Sequence, residues 1–361
     1  MKRIVIKIGS SSLVKNGRLD EARLDSLINE ISILNRDGIK ACIVTSGSIA
    51  LGAYSIGVKP KDMKMKQACA AHGQAILMQG YMQAASKYNL KCAQILVNHT
   101  DFENRERMLN LENTLNSLLD NNIIPIINEN DALATEEIKV GDNDTLSALI
   151  APMANADMLI LLSDIEGLYT DNPKTNKNAV LIKKVDTITD EIKAMAHPSS
   201  TEVGTGGMET KINAAIIATS SGVDMIIEHA DKINEIHNCF TKNYSGTLFV
   251  ANKSIDARGQ WILYKTRPNA SIVVDDGCAK AILNRKSLLA KGIEGINGII
   301  QPGDVVNIVS GDKIIAKGIS NFSGLDILKI MKHSSNEIKE ILGRSAKSEV
   351  CHANNIVLIE E

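Results

Sequence analysis

Aromatic side chains are scarce in this sequence: one tryptophan, six tyrosines and four phenylalanines among 361 residues, 3% of the chain. That removes most of the material for a base-stacking platform or an aromatic-lined carbohydrate groove, and a small, polar, charged substrate fits better. Paired cysteines are missing as well. Cys42, Cys69, Cys92, Cys239, Cys278 and Cys351 are widely spaced, form no CxxC and sit beside no His-rich segment, so they read as reduced core thiols rather than a zinc site. Charge of one sign is absent: Lys plus Arg total 40, Asp plus Glu 42, and a net charge of -2 gives no whole-molecule case for a nucleic-acid or anionic-membrane surface. Long apolar runs are absent too. Met158 to Leu162 is typical and falls far short of the roughly 20 residues that cross a bilayer. The short apolar stretch of the N-terminus is broken by Lys7 and followed by no small-residue cleavage site, so no export signal is expected and the cytoplasm is the expected address. The seven histidines form no pair at metal-ligand spacing; His72, within an apolar helical pattern, reads as a core residue, and Cys351-His352 as incidental.

What is present is an ordinary globular composition, 44% hydrophobic and 23% charged, in a chain long enough for two domains. Up to about residue 250, short β-branched runs alternate with segments of helical period, the pattern of a doubly wound, mostly parallel α/β sheet. Ile4 to Ile8, Ile39 to Thr45, Ala93 to Val97, Ile123 to Ile127, Met158 to Leu162 and Asp224 to Glu228 read as buried strands. Leu24, Leu27, Ile28, Ile31 and Leu34 recur at helical spacing until Gly38 offers a stop. Between Thr247 and Trp261 the rhythm changes. Beyond it Ser271 to Asp275, Val305 to Val309 and Lys313 to Ile319 look like short strands joined by Gly- and Pro-bearing turns, which suggests a small β-barrel. The expected domains are 1–255 and 266–361. Residues 262–361 hold 13 basic against 11 acidic side chains, leaving 27 against 31 for residues 1–261.

Ligands of open α/β sheets bind outside the carboxyl ends of the strands, so the residues that follow each strand carry the functional reading. The first such loop is Lys7-Ile8-Gly9-Ser10-Ser11-Ser12. A lysine in a buried strand pattern needs a partner or water for its ammonium; it can face a phosphate or be an edge lysine with a solvated head. The second is Thr45-Ser46-Gly47-Ser48, where a glycine admits a ligand to the backbone, although such turns are also plain helix caps. The third is the densest: Asn128, Glu129, Asn130 and Asp131, then Asp142, Asn143 and Asp144 beside the helical run Leu146 to Met153. One of these can cap that helix; two clusters need another reason. Carboxamides donate to a carboxylate and carboxylates accept from an ammonium, which suits a small zwitterion, and an aspartate among them can orient lysines or bind Mg²⁺ through water. The fourth is Gly204 to Lys211, with three glycines and a threonine ahead of a helix, an arrangement that exposes N–H groups to phosphate oxygens while Lys211 neutralises charge. It is not a Walker A loop, since the order GxxxxGK[ST] is absent.

Taken together, VIKIG at Val5 to Gly9, VTSGSIA at Val44 to Ala50, INENDA at Ile127 to Ala132, IKVGDND at Ile138 to Asp144, GLYT at Gly167 to Thr170 and GTGGMETK at Gly204 to Lys211 resemble the signatures of the amino-acid kinase family in order and spacing. The resemblance is to those members that phosphorylate glutamate at the head of proline synthesis. Residues from about 266 onward, including Lys291-Gly292-Ile293 and Pro302-Gly303-Asp304-Val305, resemble a PUA domain.

The resemblance implies ATP-dependent phosphorylation of the L-glutamate side-chain carboxylate to γ-glutamyl phosphate, with Mg²⁺ accompanying ATP. It implies that Lys7 and Lys211 stabilise the transferring phosphoryl group and that Asp144 organises them. Ser46, Asp131 and Asn143 would bind glutamate, with Gly47 and Asn128 as neighbours. Lys7, Ser163, Asp164, Thr205, Gly206, Gly207, Met208, Glu209, Thr210 and Lys211 would contact ATP. Ser163 departs from the family's frequent threonine and keeps the hydroxyl. No protein metal ligand is implied. Feedback inhibition by proline and a homo-oligomer are implied as well. The rival readings are a kinase of N-acetylglutamate or aspartate, or an RNA-binding PUA protein. Against the last, residues 262–361 carry only a slight positive excess and two aromatics, Tyr264 and Phe322.

Overall fold

The computed structural model describes residues 2–133, 143–173, 175–195, 207–241, 243–252, 262, 268, 270–343 and 346–359. The chain divides into two compact units, Met1–Ser254 and Ile255–Glu361.

In the first unit the strands are β1 (Arg3–Ile8), a short hairpin β2 (Val14–Lys15) and β3 (Arg18–Leu19), then β4 (Lys40–Val44), β5 (Lys91–Val97), β6 (Ile123–Glu129), β7 (Met158–Ser163), β8 (Lys184–Val185), β9 (Asp224–His229) and β10 (Thr247–Phe249). Eight of them form one sheet in the order β5-β6-β4-β1-β7-β9-β10-β8. The six from β5 to β9 in that order run parallel, and β10 pairs antiparallel with β9. Every residue of β4 and β7 is buried, as helices on both faces of a parallel sheet demand. The helices include α1 (Ser10–Leu13), α2 (Glu21–Arg36), α3 (Ser48–Ile56), α4 (Met63–Lys87), α5 (His99–Glu103), α6 (Arg105–Asp120), α7 (Asn143–Met153), α8 (Asp190–Ala194) and α9 (Met208–Ser220).

Local chemistry accounts for the element ends. Asp20 caps α2 by accepting from the Arg23 N–H, and Gly38, in the left-handed region, lies just past the helix end. The face of α2 that carries Leu24, Leu27, Ile28, Ile31 and Leu34 packs with Ile4, Ile6, Ile8 and Ile43 in one core cluster. Helices α3 and α4 meet without side chains between them at two points. A Cβ on Gly52 would overlap the carbonyl oxygen of Cys69, and one on Gly73 would overlap that of Ser48.

Two sequence expectations are corrected here. The stretch after β1 is not an open loop: Ser10–Leu13 forms a helical turn in which the Ser12 and Leu13 N–H groups both donate to the Gly9 carbonyl. His72 is exposed rather than in the core. The buried stripe of α4 runs through Cys69, Gly73, Leu77 and Tyr81, and position 72 is turned away from it, where its Nε2 lies 3.0 Å from the Ser55 hydroxyl. All six cysteines are free; Cys92 and Cys278 are only partly buried.

In the second unit β11 (Ser271–Val274), β12 (Ile293–Asn297), β13 (Val305–Ser310), β14 (Lys313–Ile319) and β15 (Ile356–Leu358) form a mixed sheet in the order β12-β11-β13-β14-β15. Its apolar cluster joins Ile272, Ile282, Leu288, Val306, Ile308, Phe322 and Ile327. The turn from β13 to β14 contains Gly311 at φ +58°, a left-handed position that suits glycine. Among the described residues, no helix is long and apolar enough to cross a membrane.

Candidate active site

The neighbouring strands β6, β4, β1 and β7 are parallel, so their carboxyl ends fall on one edge of the sheet. Lys7 is level with Val44 on one side and Leu161 on the other, while Val44 is level with Ile127. The polar residues that follow, Thr45 to Ser48, Asn128 to Asp131 and Ser163 to Asp164, therefore arrive together. The chain winds away from β1 in both directions, which makes this edge the switch point where α/β sheets open a crevice.

At its centre is a buried charge cluster. Lys7 Nζ lies 2.6 Å from Asp144 Oδ1 and Lys211 Nζ 3.1 Å from Asp144 Oδ2. The Thr210 hydroxyl is 2.9 Å from the same Oδ2 and 2.9 Å from the Gly207 carbonyl. Asp144 and Lys211 are 2% and 4% exposed, on the first turns of α7 and α9. Burial alone would push the Asp144 carboxyl up; the ammonium groups of Lys7 and Lys211 outweigh it and hold the carboxyl well below the usual range. Two cations on one anion leave the cluster with a net positive charge, and a buried excess of this kind calls for an anionic ligand.

Beside it lies an amide cluster. Asn143 Nδ2 is 2.7 Å from the Thr45 carbonyl, 2.6 Å from Ser46 Oγ and 3.1 Å from Asn128 Oδ1. Gly47 has φ +112°, and a Cβ there would strike Val14 of the β2–β3 hairpin, so glycine is required both for the turn and for the packing. Asp131 opens the 3₁₀ turn Asp131–Leu133 and accepts from the Ser48 hydroxyl at 3.3 Å. Burial pushes its carboxyl up to about 6, and nearby Glu129 adds to the rise, against the Ser48 hydrogen bond. Asp131 Oδ1 and Asn143 Oδ1 are buried acceptors to which no described residue donates. Unsatisfied acceptors of this kind are rare and suit a donor brought by a ligand.

Ser163 ends β7 and donates to Asp164 Oδ1 at 3.1 Å; Asp164 itself is exposed. Both border a cavity of about 310 Å³ that Ser11, Ser12, Arg23 and His229 also line. Gly207 to Lys211 form the start of α9, with Glu209 exposed and no side-chain cap on the helix. Thr205 and Gly206, with Ile138 to Asp142, lie outside the described residues. Lys7, Asp144, Thr210 and Lys211 meet in the charge cluster, Ser46, Asn128 and Asn143 in the amide cluster, and Ser163 and Asp164 at this cavity.

Sequence reasoning named Thr45 and Ser48 only as parts of a turn, and missed Tyr81 and Gln74. Ser48 reaches Asp131, and the buried Tyr81 hydroxyl donates to Thr45 Oγ1 at 2.9 Å. Gln74 accepts from Asn128 Nδ2 at 2.9 Å. Gln74 and Tyr81 share the inward stripe of α4, so a polar residue at an apolar position of the helical period was the available signal.

Comparison with known proteins agrees with this geometry. Residues 2–229 match the amino acid kinase family and residues 270–342 the PUA domain. The chain is 42% identical to the glutamate 5-kinase of Carboxydothermus hydrogenoformans, over 100% of its own length and 98% of the relative's. It is 42% identical to that of Dictyoglomus turgidum, with 99% and 97% covered. With the glutamate 5-kinase of Vibrio vulnificus it shares 40% identity, with 100% and 97% covered. Among solved structures, carbamate kinase from Giardia lamblia superposes with a TM-score of 0.50 at 16% identity, covering 70% of this chain and 99% of that one, a likeness of fold alone. With sheet, crevice and full-length similarity in agreement, the chain belongs to the amino acid kinase family, among its glutamate 5-kinases, and carries a PUA domain behind the kinase domain.

Proposed function

We propose that the chain transfers the γ-phosphoryl group of ATP to the side-chain carboxylate of L-glutamate, giving γ-glutamyl phosphate, the first step of proline synthesis. The observation that carries this reading is the pair of buried acceptors, Asp131 Oδ1 and Asn143 Oδ1, beside a cluster that joins two lysines through Asp144. The first feature fits a free ammonium and the second fits a transferring phosphoryl group. An N-acetylated substrate has no ammonium to offer and would leave Asp131 facing an amide.

An ionised carboxylate is already a nucleophile toward phosphorus, so the site needs no general base. Its task is to align the carboxylate with the phosphoryl group and to neutralise charge as the bond to the leaving oxygen breaks. Asp131 and Asn143 hold the amine end, and Ser46, Gly47 and Asn128 complete that wall. Asp144 holds the Lys7 and Lys211 ammonium groups in place, so little reorganisation is needed when charge develops. Ser163, Asp164 and the first turn of α9, with Gly207, Met208, Glu209 and Thr210, form the nucleotide side, as would Thr205 and Gly206. Asp144 holds the Lys7 and Lys211 ammonium groups with its two oxygens, and Mg²⁺ would accompany the ATP phosphates, whose charge it would neutralise.

Proline shares with glutamate an α-carboxylate and a cationic α-nitrogen, secondary and within the ring, which supports proline as a feedback inhibitor at the amine end of the site. We also infer a cytoplasmic homo-oligomer, on the resemblance to relatives and the supply of ATP and glutamate. An ATP-dependent hydroxamate assay with glutamate, aspartate and N-acetylglutamate, repeated with added proline, tests the reading. Turnover of glutamate well above the other two, lowered by proline, is expected; preference for N-acetylglutamate would overturn it.

A further inference from the structure

An asparagine presents either an oxygen or an NH₂ to a ligand, and which of the two it shows decides whether it accepts from an ammonium or repels it. Asn143 turns its NH₂ to three acceptors, Thr45 O, Ser46 Oγ and Asn128 Oδ1, and so keeps its own oxygen for the site. Of the three, Asn128 is the acceptor whose own amide could turn over, so the arrangement is reinforced by Asn128 showing its oxygen to Asn143. Two contacts set Asn128: its Oδ1 accepts from the Glu129 N–H at 2.9 Å, and its Nδ2 donates to Gln74 Oε1 at 2.9 Å. Gln74 in turn is held by its own NH₂, which donates to Gln94 Oε1 at 3.0 Å. The amides thus run head to tail from the exposed Gln94 on β5, through the buried Gln74 and Asn128, to Asn143.

We propose that Gln74 is a positioning residue for recognition of the substrate amine: by accepting from Asn128 Nδ2 it fixes the amide of Asn128, and through it that of Asn143, so that an oxygen faces the ammonium. The proposal rests on the reading of Asn143 as part of the glutamate site. Gln74 does not itself touch the substrate. Without its oxygen, the buried Asn128 NH₂ has no described acceptor, and turning the amide over would bring two NH₂ groups face to face between Asn128 and Asn143. Asn143 would then lose one of the three acceptors that hold its NH₂, and its oxygen would be less firmly fixed toward the substrate ammonium. Lys7 and Lys211 lie on β1 and α9, and Asp144, although next to Asn143 on α7, is held by the two lysines and not by the amides, so phosphoryl transfer and ATP binding are spared.

The test compares Gln74→Met, of similar length but without an acceptor, with Gln74→Glu, which keeps an oxygen toward Asn128 while the exposed Gln94 can turn its NH₂ to the other oxygen. Steady-state kinetics should show the KM for glutamate raised about tenfold in Gln74→Met, the loss of roughly one hydrogen bond to a charged group, with kcat and the KM for ATP within about twofold of wild type. The glutamate Kd from calorimetry should rise by the same factor. Gln74→Glu should restore both constants to within about threefold of wild type. A purely structural Gln74 would lower the melting temperature and leave KM unchanged, and that result would overturn the proposal, as would a Gln74→Glu variant as impaired as Gln74→Met. If Gln74→Met does not fold, Gln74→Leu is measured with the same expectation. A wild-type protein without glutamate-dependent ADP release would instead refute the proposed function, which keeps the two failures apart.

Discussion

The two units of the chain treat buried polar groups in opposite ways. Among the described residues the first unit buries Ser12, Glu30, Lys40, Thr45, Ser48, Gln74, Asn128, Asn143, Asp144, Ser147, Ser163, Lys211, Thr219, Glu228 and Thr247, whereas the second buries only Ser320, whose hydroxyl turns back onto the Phe322 carbonyl. Burying a polar group is unfavourable unless every hydrogen bond is met, so a fold concentrates such groups where they are needed. In the first unit most of them converge on one sheet edge. Among its described residues the second unit is apolar within and shows no comparable cluster.

The contrast can be broken most forcefully at Asp144. Asp144→Ala removes the one carboxylate between two lysines and should destabilise the protein by about 3–5 kcal/mol, the effect of stranding a buried charge, with activity lost; an unchanged denaturant midpoint would show that the cluster does not hold the fold. Lys211→Ala should lower kcat by about 10²–10³-fold, the scale of one transition-state charge contact, in a protein that still melts cooperatively. Near-normal turnover would remove Lys211 from the mechanism. Asp131→Ala should raise the glutamate KM by about 10–100-fold, a charged hydrogen bond lost, and leave the KM for ATP alone.

Asp131 also predicts a pH profile. Its carboxyl is pushed up to about 6, and only the ionised form attracts an ammonium, so kcat/KM for glutamate should fall as pH drops through about 6. The inflection should vanish in Asp131→Asn; its persistence there would assign it to another group. At the far end of the scale, Ser320→Ala in the second unit should cost about 1 kcal/mol of stability, one hydrogen bond, and move no kinetic constant. A change in the glutamate KM would mean that the second unit communicates with the site.

Six of the eight strands of the first sheet were legible because continuous β-branched runs between helical periods leave few alternatives; β8 and β10, two and three residues long, carry too little pattern and exist by pairing with each other and with β9. Lys7, Asn143, Asp144 and Lys211 stood out since each is a polar group at a strand end or helix start. Gln74 was hidden by its setting: a glutamine inside a long helix usually faces water, and only the stripe through Cys69, Leu77 and Tyr81 shows that this one faces inward. The same period, read carefully, turns His72 outward. The helical turn after β1 was missed because three consecutive serines favour caps and turns in isolation, and here the Gly9 carbonyl organises them. In the second unit β12 and β15 carry glycine, asparagine or only three residues, and they exist because β11 and β14 pair with them, a tertiary cause that no local pattern reports.

The glycine-to-backbone seam between α3 and α4 sets a limit on how such an enzyme could be retuned. Gly52 and Gly73 leave no space for even one methyl group, and the carbonyl that a methyl on Gly73 would strike is that of Ser48, whose hydroxyl holds Asp131. A laboratory selection for a different acceptor would find these two positions closed, because any larger residue wedges the helices apart and shifts the pocket wall for every substrate alike. The exposed Leu133, at the end of the turn that opens with Asp131, has the space around its side chain that those two glycines lack.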